Sequence, residues 1–359
     1  MKRILFCLFV SCFLTLVYLH FKTIDLVQTR KVQGTAKIRN SKEGRSPKTV
    51  HALIVTYARS GSSFTGLLLK NHPNSFYHFE PLYPYRYELK TMRGIPDQRF
   101  LYDLFKCNFS GRGSYLRSVK NHLKQKSYHY NKQYLKTCAR RRNIKPCFNP
   151  FVMSRFCRNQ TLHIIKTIRL SLQNGVKLYE NYPDLNLKII HLVRDPRAVI
   201  NSRQRGITKR WCKKNTKCSS VSSYCREVRY DLNYSCSLKT SGDRGIYFLL
   251  RYEDLIENPL NITKSLFKFL GFKSLSKSVV KFLKQNVLPF SISGRIQHTN
   301  SSYYASHWKQ QLSFSDIMSI QESCSDVLTK LDYRMYKKQS EIVFRGLDEY
   351  KHLRKANFC

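Results

Sequence analysis

The sequence predicts an α/β fold: one P-loop-like domain with a central parallel sheet flanked by helices, preceded by an N-terminal transmembrane anchor. Three observations predict it. Short apolar runs bounded by turn residues recur at Ala52–Val55, Leu162–Lys166, Leu187–Val193 and Gly245–Tyr252, with helical patterns between them. Strands buried on both faces of a parallel sheet read this way. The first run passes through a loop of small and hydroxyl residues, Arg59-Ser60-Gly61-Ser62-Ser63, into a helical face of Phe64, Leu67, Leu68 and Leu69 that Asn71-His72-Pro73 stops. Finally, Ile4–Phe21 is an almost uncharged apolar run, long enough to span a bilayer if slightly extended or tilted.

That run is preceded by Lys2-Arg3 and followed by Lys22, with no small-x-small cleavage site after it, so an uncleaved signal anchor is expected in preference to a removed signal peptide. The expected organisation is residues 1–3 as a cytoplasmic tail, 4–21 as the anchor, 22–49 as a polar, basic, flexible stem, and 50–359 as a lumenal domain. The 359 residues are 42% apolar and 13% aromatic, which excludes general disorder. Lys and Arg number 64 against 22 Asp and Glu, a net charge of +42 that attracts polyanions. A translocated chain makes nucleic acid a poor partner and leaves acidic polysaccharide or lipid headgroups. Sequons at Asn108, Asn159, Asn233, Asn261 and Asn300 agree with a lumenal setting. So do the ten cysteines outside the anchor, which read as disulfides; no C-x-x-C pair supports zinc.

Each junction can be justified in chain order. Strand, small-residue loop and helix together turn backbone N–H groups and a positive helix end toward an anion. The loop lacks the lysine of G-x-x-x-x-G-K-[ST] and offers Arg59 as its fixed charge; an ordinary strand-turn-helix corner is the competing view. From Leu104 to Tyr179 there is no Asp or Glu, while Arg140-Arg141-Arg142 and scattered lysines crowd the interval. It is either a solvated basic insertion pinned by Cys107, Cys138, Cys147 and Cys157 or a platform that steers an acidic polymer toward the loop. The run from Leu162 delivers Lys166, Thr167 and Arg169 at its end, and a helix from about Leu170 to Asn181 follows. After Leu187–Val193 comes Arg194-Asp195-Pro196-Arg197, with Asp195 where an N-cap belongs and Pro196 at N1. Asn258-Pro259 begins a helix through Leu266, Phe267 and Leu270 to a stop at Gly271. Ile317, Ile320, Cys324, Val327, Leu328 and Leu331 mark one amphipathic packing helix after Ser313. Ligands of such sheets bind at the carboxyl ends of the strands, the edge that Arg59, Lys166, Arg194 and Tyr252 occupy.

The two cation-bearing junctions together resemble those of the Golgi carbohydrate 6-O-sulfotransferases that act on galactose, N-acetylglucosamine or N-acetylgalactosamine. The similarity runs through ARSGSSF at Ala58, FEP at Phe79, KCNFS at Lys106, IIKTIRLS at Ile164, LKIIHLVRDPRAVINSR at Leu187, LRYEDL at Leu250 and the Trp308-Lys309 helix, in family order from Val50 to Tyr333. Divergence is concentrated in Met92–Phe156 and Thr208–Arg244, where acceptor choice is expected to be written.

The resemblance implies a sulfotransferase fold, a Golgi-membrane type II protein with its domain in the lumen, a glycan or glycosaminoglycan acceptor, and 3'-phosphoadenosine 5'-phosphosulfate as co-substrate without a metal. Ala58, Arg59, Ser60, Gly61, Ser62, Ser63, Phe64 and Thr65 would hold the 5'-phosphosulfate, with Arg59 neutralising charge on the bridging oxygen. Arg194, Asp195, Pro196, Arg197, Ala198, Val199, Ile200, Asn201 and Ser202 would form the 3'-phosphate segment, Arg194 and Ser202 making the contacts. Tyr252 would pack near the adenine. Glu80 would be the general base, with His78 and His72 as rivals, and Lys166 would assist at the leaving group or the sulfuryl oxygens. A phosphoryl-transferring enzyme is disfavoured by the missing loop lysine and carboxylate pair. A catalytically silent lectin for acidic glycans is the other alternative. Acceptor sugar and oligomeric state stay open.

Overall fold

The computed structural model describes residues 49–85, 98–124, 131–139, 143–205, 209–214, 216–240, 245–287, 290–292, 295–297 and 300–342. The expected anchor, nearly all of the expected stem and Arg140-Arg141-Arg142 lie outside them. Chain contacts divide the protein into Met1–Ser46 and Pro47–Cys359, and the described residues belong to the second unit.

Five parallel strands form its sheet: β1 (Val50–Val55), β2 (Ser75–Phe79), β3 (Leu162–Thr167), β4 (Leu187–Val193) and β5 (Tyr247–Arg251). Their spatial order is β2-β3-β1-β4-β5. β1 is central, pairing Ala52 with Ile164 of β3 on one side and with Lys188 of β4 on the other. The chain leaves β1 for the β2 edge, returns through β3, then crosses β1 to β4. Sheets with such a reversal bind ligands outside the carboxyl ends of the strands beside it, here β3, β1 and β4.

Every residue of β1 is buried, because alternate side chains enter two separate cores. Leu53 and Val55 join Phe76, Ile165 and Ile189 on one face. Ala52 and Ile54 join Ile164, Ile190, Leu68 and Phe267 on the other. The second face is covered by α1 (Ser62–Lys70), α12 (Pro259–Phe269) and α13 (Lys277–Asn286). As the pattern implied, Pro259 starts α12 and Gly271, at φ +88°, follows its end. The first face carries α2 (Gln98–Phe105) and α6 (Leu172–Asn181); α6 is capped by the Ser171 side chain.

The acid-free interval forms α3 (Gly113–Lys124), α4 (Lys132–Cys138) and α5 (Pro150–Arg158). Disulfides Cys107–Cys157 and Cys138–Cys147 staple it, and Phe76, Phe109, Tyr115 and Tyr134 pack inside. A third core caps the carboxyl edge. It gathers Tyr57, Val199, Tyr224, Trp308 and Ile317 from the loop after β1, α7 (Pro196–Gln204), α10 (Val221–Thr240), α15 (Trp308–Gln311) and α16 (Phe314–Ser323). The short helices α8 (Lys209–Lys213) and α9 (Thr216–Ser219) are joined by Cys212–Cys218; α11 (Tyr252–Glu257) follows β5 and α14 (Asn300–Ser306) precedes α15.

The single amphipathic helix expected after Ser313 is two helices. Cys324 leaves helical geometry at φ −119°, ψ 16°, between α16 and α17 (Ser325–Lys330), where it is tied by a disulfide to Cys225 of α10. The periodicity survives the break because both helices face the same core.

A buried polar network joins the layers beneath the loop. Tyr57 Oη donates to Asp231 Oδ2 (2.7 Å) and lies 3.0 Å from His191 Nε2. Asp231 Oδ1 accepts from the Leu172 amide at the start of α6 (2.8 Å). Asp231→Ala removes the acceptor of both donors, and leaving buried donors unsatisfied costs about 1–3 kcal/mol each. The variant is expected to unfold at a lower urea midpoint with an unchanged m-value.

Candidate active site

The five strands deliver five candidate residues to one edge. Arg59 follows β1, Glu80 follows β2, Lys166 is the penultimate residue of β3, Arg194 follows β4 and Tyr252 follows β5.

Backbone geometry builds the loop after β1. Thr56 Oγ1 donates to Leu192 O (3.0 Å), tying the loop to β4. Arg59 at φ +73° and Gly61 at φ +86° then turn the chain into α1. A non-glycine residue is uncommon in that region, so Arg59 is held there by its surroundings. Gly61 is the N-cap of α1 and has no side-chain cap, and the first turn carries no acid. A Cβ at Gly61 would stand 2.2 Å from Tyr252 Cδ2, so the Tyr252 ring lies against the bare loop backbone. The leading amides of α1 are thus left for an anion from outside.

Two guanidiniums converge on this loop. Arg59 Nε donates to Ser202 Oγ (2.9 Å). Arg194 Nη1 donates to Arg59 O (2.9 Å), Nη2 donates to Tyr304 O, and Cζ sits 4.8 Å from the Tyr252 ring centroid. Burial first, and the Arg194 charge second, lower the Arg59 pKa, as expected for cations that face each other. Glu253 Oε1 lies 4.0 Å from Arg194 Nε. Burial, reinforced by the Asp195 charge, pushes Glu253 up to about 7, so it cancels little of the local positive charge below neutrality.

The second cluster surrounds Glu80, itself at φ +45° and buried. Its Oε1 accepts from Lys166 Nζ (2.8 Å) and its Oε2 from Arg169 Nη1 (2.7 Å). The Ile168 amide reaches Oε1 at 3.2 Å. Burial lowers the Lys166 pKa and the Glu80 charge opposes that shift; its ammonium lies 4.1 Å from the Phe79 centroid. Because Lys166 pairs with Ile54 of β1 and Phe79 of β2, Glu80 stands two strand spacings, roughly 10 Å, from the line of β1.

The rival histidines lie elsewhere. His78 is fully buried, with Nδ1 2.7 Å from Tyr115 Oη, and desolvation pushes it down to about 3. His72 lies 4.4 Å from the Phe272 ring centroid, tilted by 43°, at the far end of α1.

Within Arg194–Ser202, the ends and the middle separate. Arg194 and Ser202 reach the loop. Asp195 caps α7, and Arg197 is bound to Asp195 (3.0 and 2.8 Å), Gln321 Oε1 (3.0 Å) and Arg334 O (2.8 Å), with Cζ 4.4 Å from the Trp308 centroid. Pro196, Ala198, Val199 and Ile200 are buried, and Asn201 donates to Gln311 Oε1 (2.8 Å). In the loop, Ala58, Ser60, Ser62 and Thr65 are buried, and Thr65 bonds back to Gly61 O. Ser63 is half-buried, and Phe64 meets Tyr252 edge-on at 6.3 Å.

Sequence reasoning gave no role to two residues that hold this edge. Arg169 stood out only as a cation after β3. Arg203, buried, donates from Nε to Ala58 O (3.1 Å) and from Nη1 to Cys218 O (3.1 Å), lashing the loop to the Cys212–Cys218 segment; helical spacing alone could not say which face of α7 meets the loop. Cys107, Cys157 and His163 come within metal-ligand distance of one another. The two sulfurs are bonded together, however, and the His163 nitrogens lie 2.9 and 3.0 Å from carbonyl oxygens, so no thiolate is offered to a metal.

The fold and edge are those of a group-transfer enzyme of the sulfotransferase class. The sulfotransferase domain family matches residues 49–332, and the chain belongs to it and is a sulfotransferase. It is 30% identical over 342 residues to carbohydrate sulfotransferase 1 of Danio rerio, covering 83% of this chain and 81% of that one. It is 28% identical over 324 residues to carbohydrate sulfotransferase 6 of Homo sapiens, covering 79% and 81%. Among solved structures, the sulfotransferase domain from the curacin biosynthetic pathway is 17% identical and covers 82% of this chain and all of its own, with a TM-score of 0.45.

The raised Glu253 pKa gives stability a pH dependence. Between the ordinary carboxylate value and about 7 the folded state binds a proton that the unfolded state has released, so Glu253 contributes stability at low pH that is lost as pH rises through 7. Comparing the melting temperatures of wild type and Glu253→Gln from pH 4 to 8 should show a smaller decline in the variant across that window.

Proposed function

We propose that this protein moves a sulfuryl group from 3'-phosphoadenosine 5'-phosphosulfate to a sugar hydroxyl, the 6-position of galactose, N-acetylglucosamine or N-acetylgalactosamine, in a glycan or proteoglycan. It would work in the Golgi lumen, held by residues 4–21. The observation that carries the donor assignment is the convergence of Arg59, Ser202, Arg194 and Tyr252 on the uncapped start of α1. Polyanion binding by a silent lectin needs no such convergence. The names of the relatives support a carbohydrate acceptor.

In this reading the amides of Ser62 and Ser63 and nearby hydroxyls take the 5'-phosphosulfate, and Arg59 offsets the charge that grows on the leaving phosphate. Arg194 and Ser202 take the 3'-phosphate, Arg194 trading a backbone carbonyl for a stronger charged acceptor. Tyr252 floors the adenine side. Asp195 and Arg197–Asn201 set the pitch of α7 and so the direction of Arg194 and Ser202.

Glu80 accepts the hydroxyl proton as the sugar oxygen bonds to sulfur and the sulfur–oxygen bond to the phosphate breaks. Its Oε2, which takes Arg169 at close range, keeps lone-pair capacity for that proton. Lys166 and Arg169 fix the carboxylate in place, and Lys166 is available to the sulfuryl oxygens.

Adenosine 3',5'-bisphosphate is expected to raise the melting temperature of the full chain, by about 2.7 kcal/mol of stabilisation at a hundredfold excess over Kd; no shift sinks the donor assignment. Glu80→Gln should lower kcat by roughly 10²–10⁴ while the bisphosphate still binds. That substitution leaves two buried cations short of a charge, and unpairing a buried ion costs about 3–5 kcal/mol, so binding is to be measured well below its lowered midpoint. Glu80→Asp retains the charge and should also lose turnover, because its carboxylate is withdrawn. Retained turnover in both variants would remove Glu80 as the base. Linkage analysis of products formed from labelled donor on defined acceptors fixes sugar and position.

A further inference from the structure

We propose that the groove along α12 and the turn into α13 is a second binding surface, which holds an acidic stretch of polysaccharide at the far end of α1 from the donor loop. The choice of occupant rests on the carbohydrate acceptor of the proposed function; the groove itself does not.

The groove has a volume of about 780 Å³ and is open to solvent, a size typical of ligand sites. It is lined by Lys264 and Lys268 of α12 and Lys273 of the turn, together with Leu260, Phe272 and Leu275. All three lysines are exposed. Among the described residues none of them has an ion-pair partner, and no residue lining the groove is acidic. The sequence explains this: there is no Asp or Glu between Glu257 and Asp316, so α12, the turn and α13 carry their lysines without counter-charge. Elsewhere on the surface Lys106 and Arg229 do find acids, Asp184 and Asp326. Solubility alone asks for neither a groove nor an apolar lining.

The lining specifies the ligand. Lys264 and Lys268 stand one helical turn apart, roughly 6 Å along the axis, and Lys273 lies beyond the end of the helix. A row of this kind suits a linear polyanion better than a single phosphate. Leu260, Phe272 and Leu275 are half-buried against the second core, and they offer apolar surface to the C–H faces of a sugar, which gain by leaving water. Anionic groups beside C–H faces are the chemistry of an acidic polysaccharide.

The position of the groove gives it a task. The Phe272 ring lies against His72, just past the C-terminal end of α1, and Ser278 Oγ donates to Asn71 O (2.5 Å) beside it. The donor loop is at the other end of α1, nine residues and roughly 14 Å away. Only an acceptor several sugars long reaches both. Holding such a chain at the groove raises the local concentration of its hydroxyls at the site, an advantage that short oligosaccharides do not share.

The test is equilibrium binding of fluorescein-labelled chondroitin sulfate chains to the full chain. The variant Lys264→Ser/Lys268→Ser/Lys273→Ser is expected to raise the Kd about tenfold, as the loss of three exposed ion pairs of modest strength would, with the affinity for adenosine 3',5'-bisphosphate unchanged. Lys264→Arg/Lys268→Arg/Lys273→Arg keeps the charge and should keep the wild-type Kd. Lys337→Ser/Lys338→Ser, at two exposed lysines outside the groove, reads the effect of net charge alone. The proposal is overturned by an unchanged Kd in the serine variant, by a loss of the same size in the Lys337 and Lys338 control, or by a wild type that binds no chondroitin sulfate. It is also overturned if the serine variant loses binding only to vesicles of anionic phospholipid, which would assign the groove to a lipid surface. Binding is read without turnover, so a wild type that binds the polymer in the groove but shows no donor-dependent transfer would sink the sulfotransferase reading and support the groove.

Discussion

Parallel pairing of β1 with β3 on one side and β4 on the other is the constraint from which the site follows. Each strand then ends at the same edge, and each following residue is delivered within one or two strand spacings of its neighbours. Reversing one strand would send its cation to the opposite edge of the sheet. The two cores enforce the pairing, because a one-residue slip of β1 would exchange Leu53 and Val55 with Ala52 and Ile54 between differently shaped surfaces.

The edge is held in conformations that an isolated chain would avoid. Arg59 and Glu80 are two of the four non-glycine residues with positive φ among the described residues. Such geometry costs on the order of 1–3 kcal/mol each and persists only where the surroundings over-determine it. Here the restraints are identifiable. Arg194 and Arg203 grip the carbonyls of Arg59 and Ala58, while Lys166 O accepts from the Glu80 amide and Lys166 Nζ binds its carboxylate. The third core and the Cys225–Cys324 disulfide hold the elements from which Arg194 and Arg203 reach in.

Charge follows the same division of labour. Arg197, in the middle of a segment rich in cations, is enclosed by Asp195, Trp308 and Tyr336 and serves packing. Arg59 and Arg194 face one another over the start of α1, where burial weakens Glu253 as a counter-ion. An anion arriving there would relieve that repulsion.

Much of this edge was legible beforehand. The apolar runs of β1, β3 and β4, the loop Arg59–Ser63, the Asp195-Pro196 start of α7 and the Gly271 stop are local, and local chemistry determines them: buried strands, a bare helix start, an N-cap and a left-handed glycine each need only their own residues. What the sequence left undetermined is non-local. The meeting of Glu80 with Arg169, the grip of Arg203 on Ala58, the turning of Arg197 away from the loop that Ser202 faces, and the pairing of Cys225 with Cys324 all depend on which faces the strand order brings together. Sequence alone determined the parts and their chemistry, because propensity and periodicity act over a few residues. Only the tertiary structure decided which charge lies at this edge and which is enclosed in the core, because that depends on contacts between segments up to 145 residues apart, for which no short-range pattern exists.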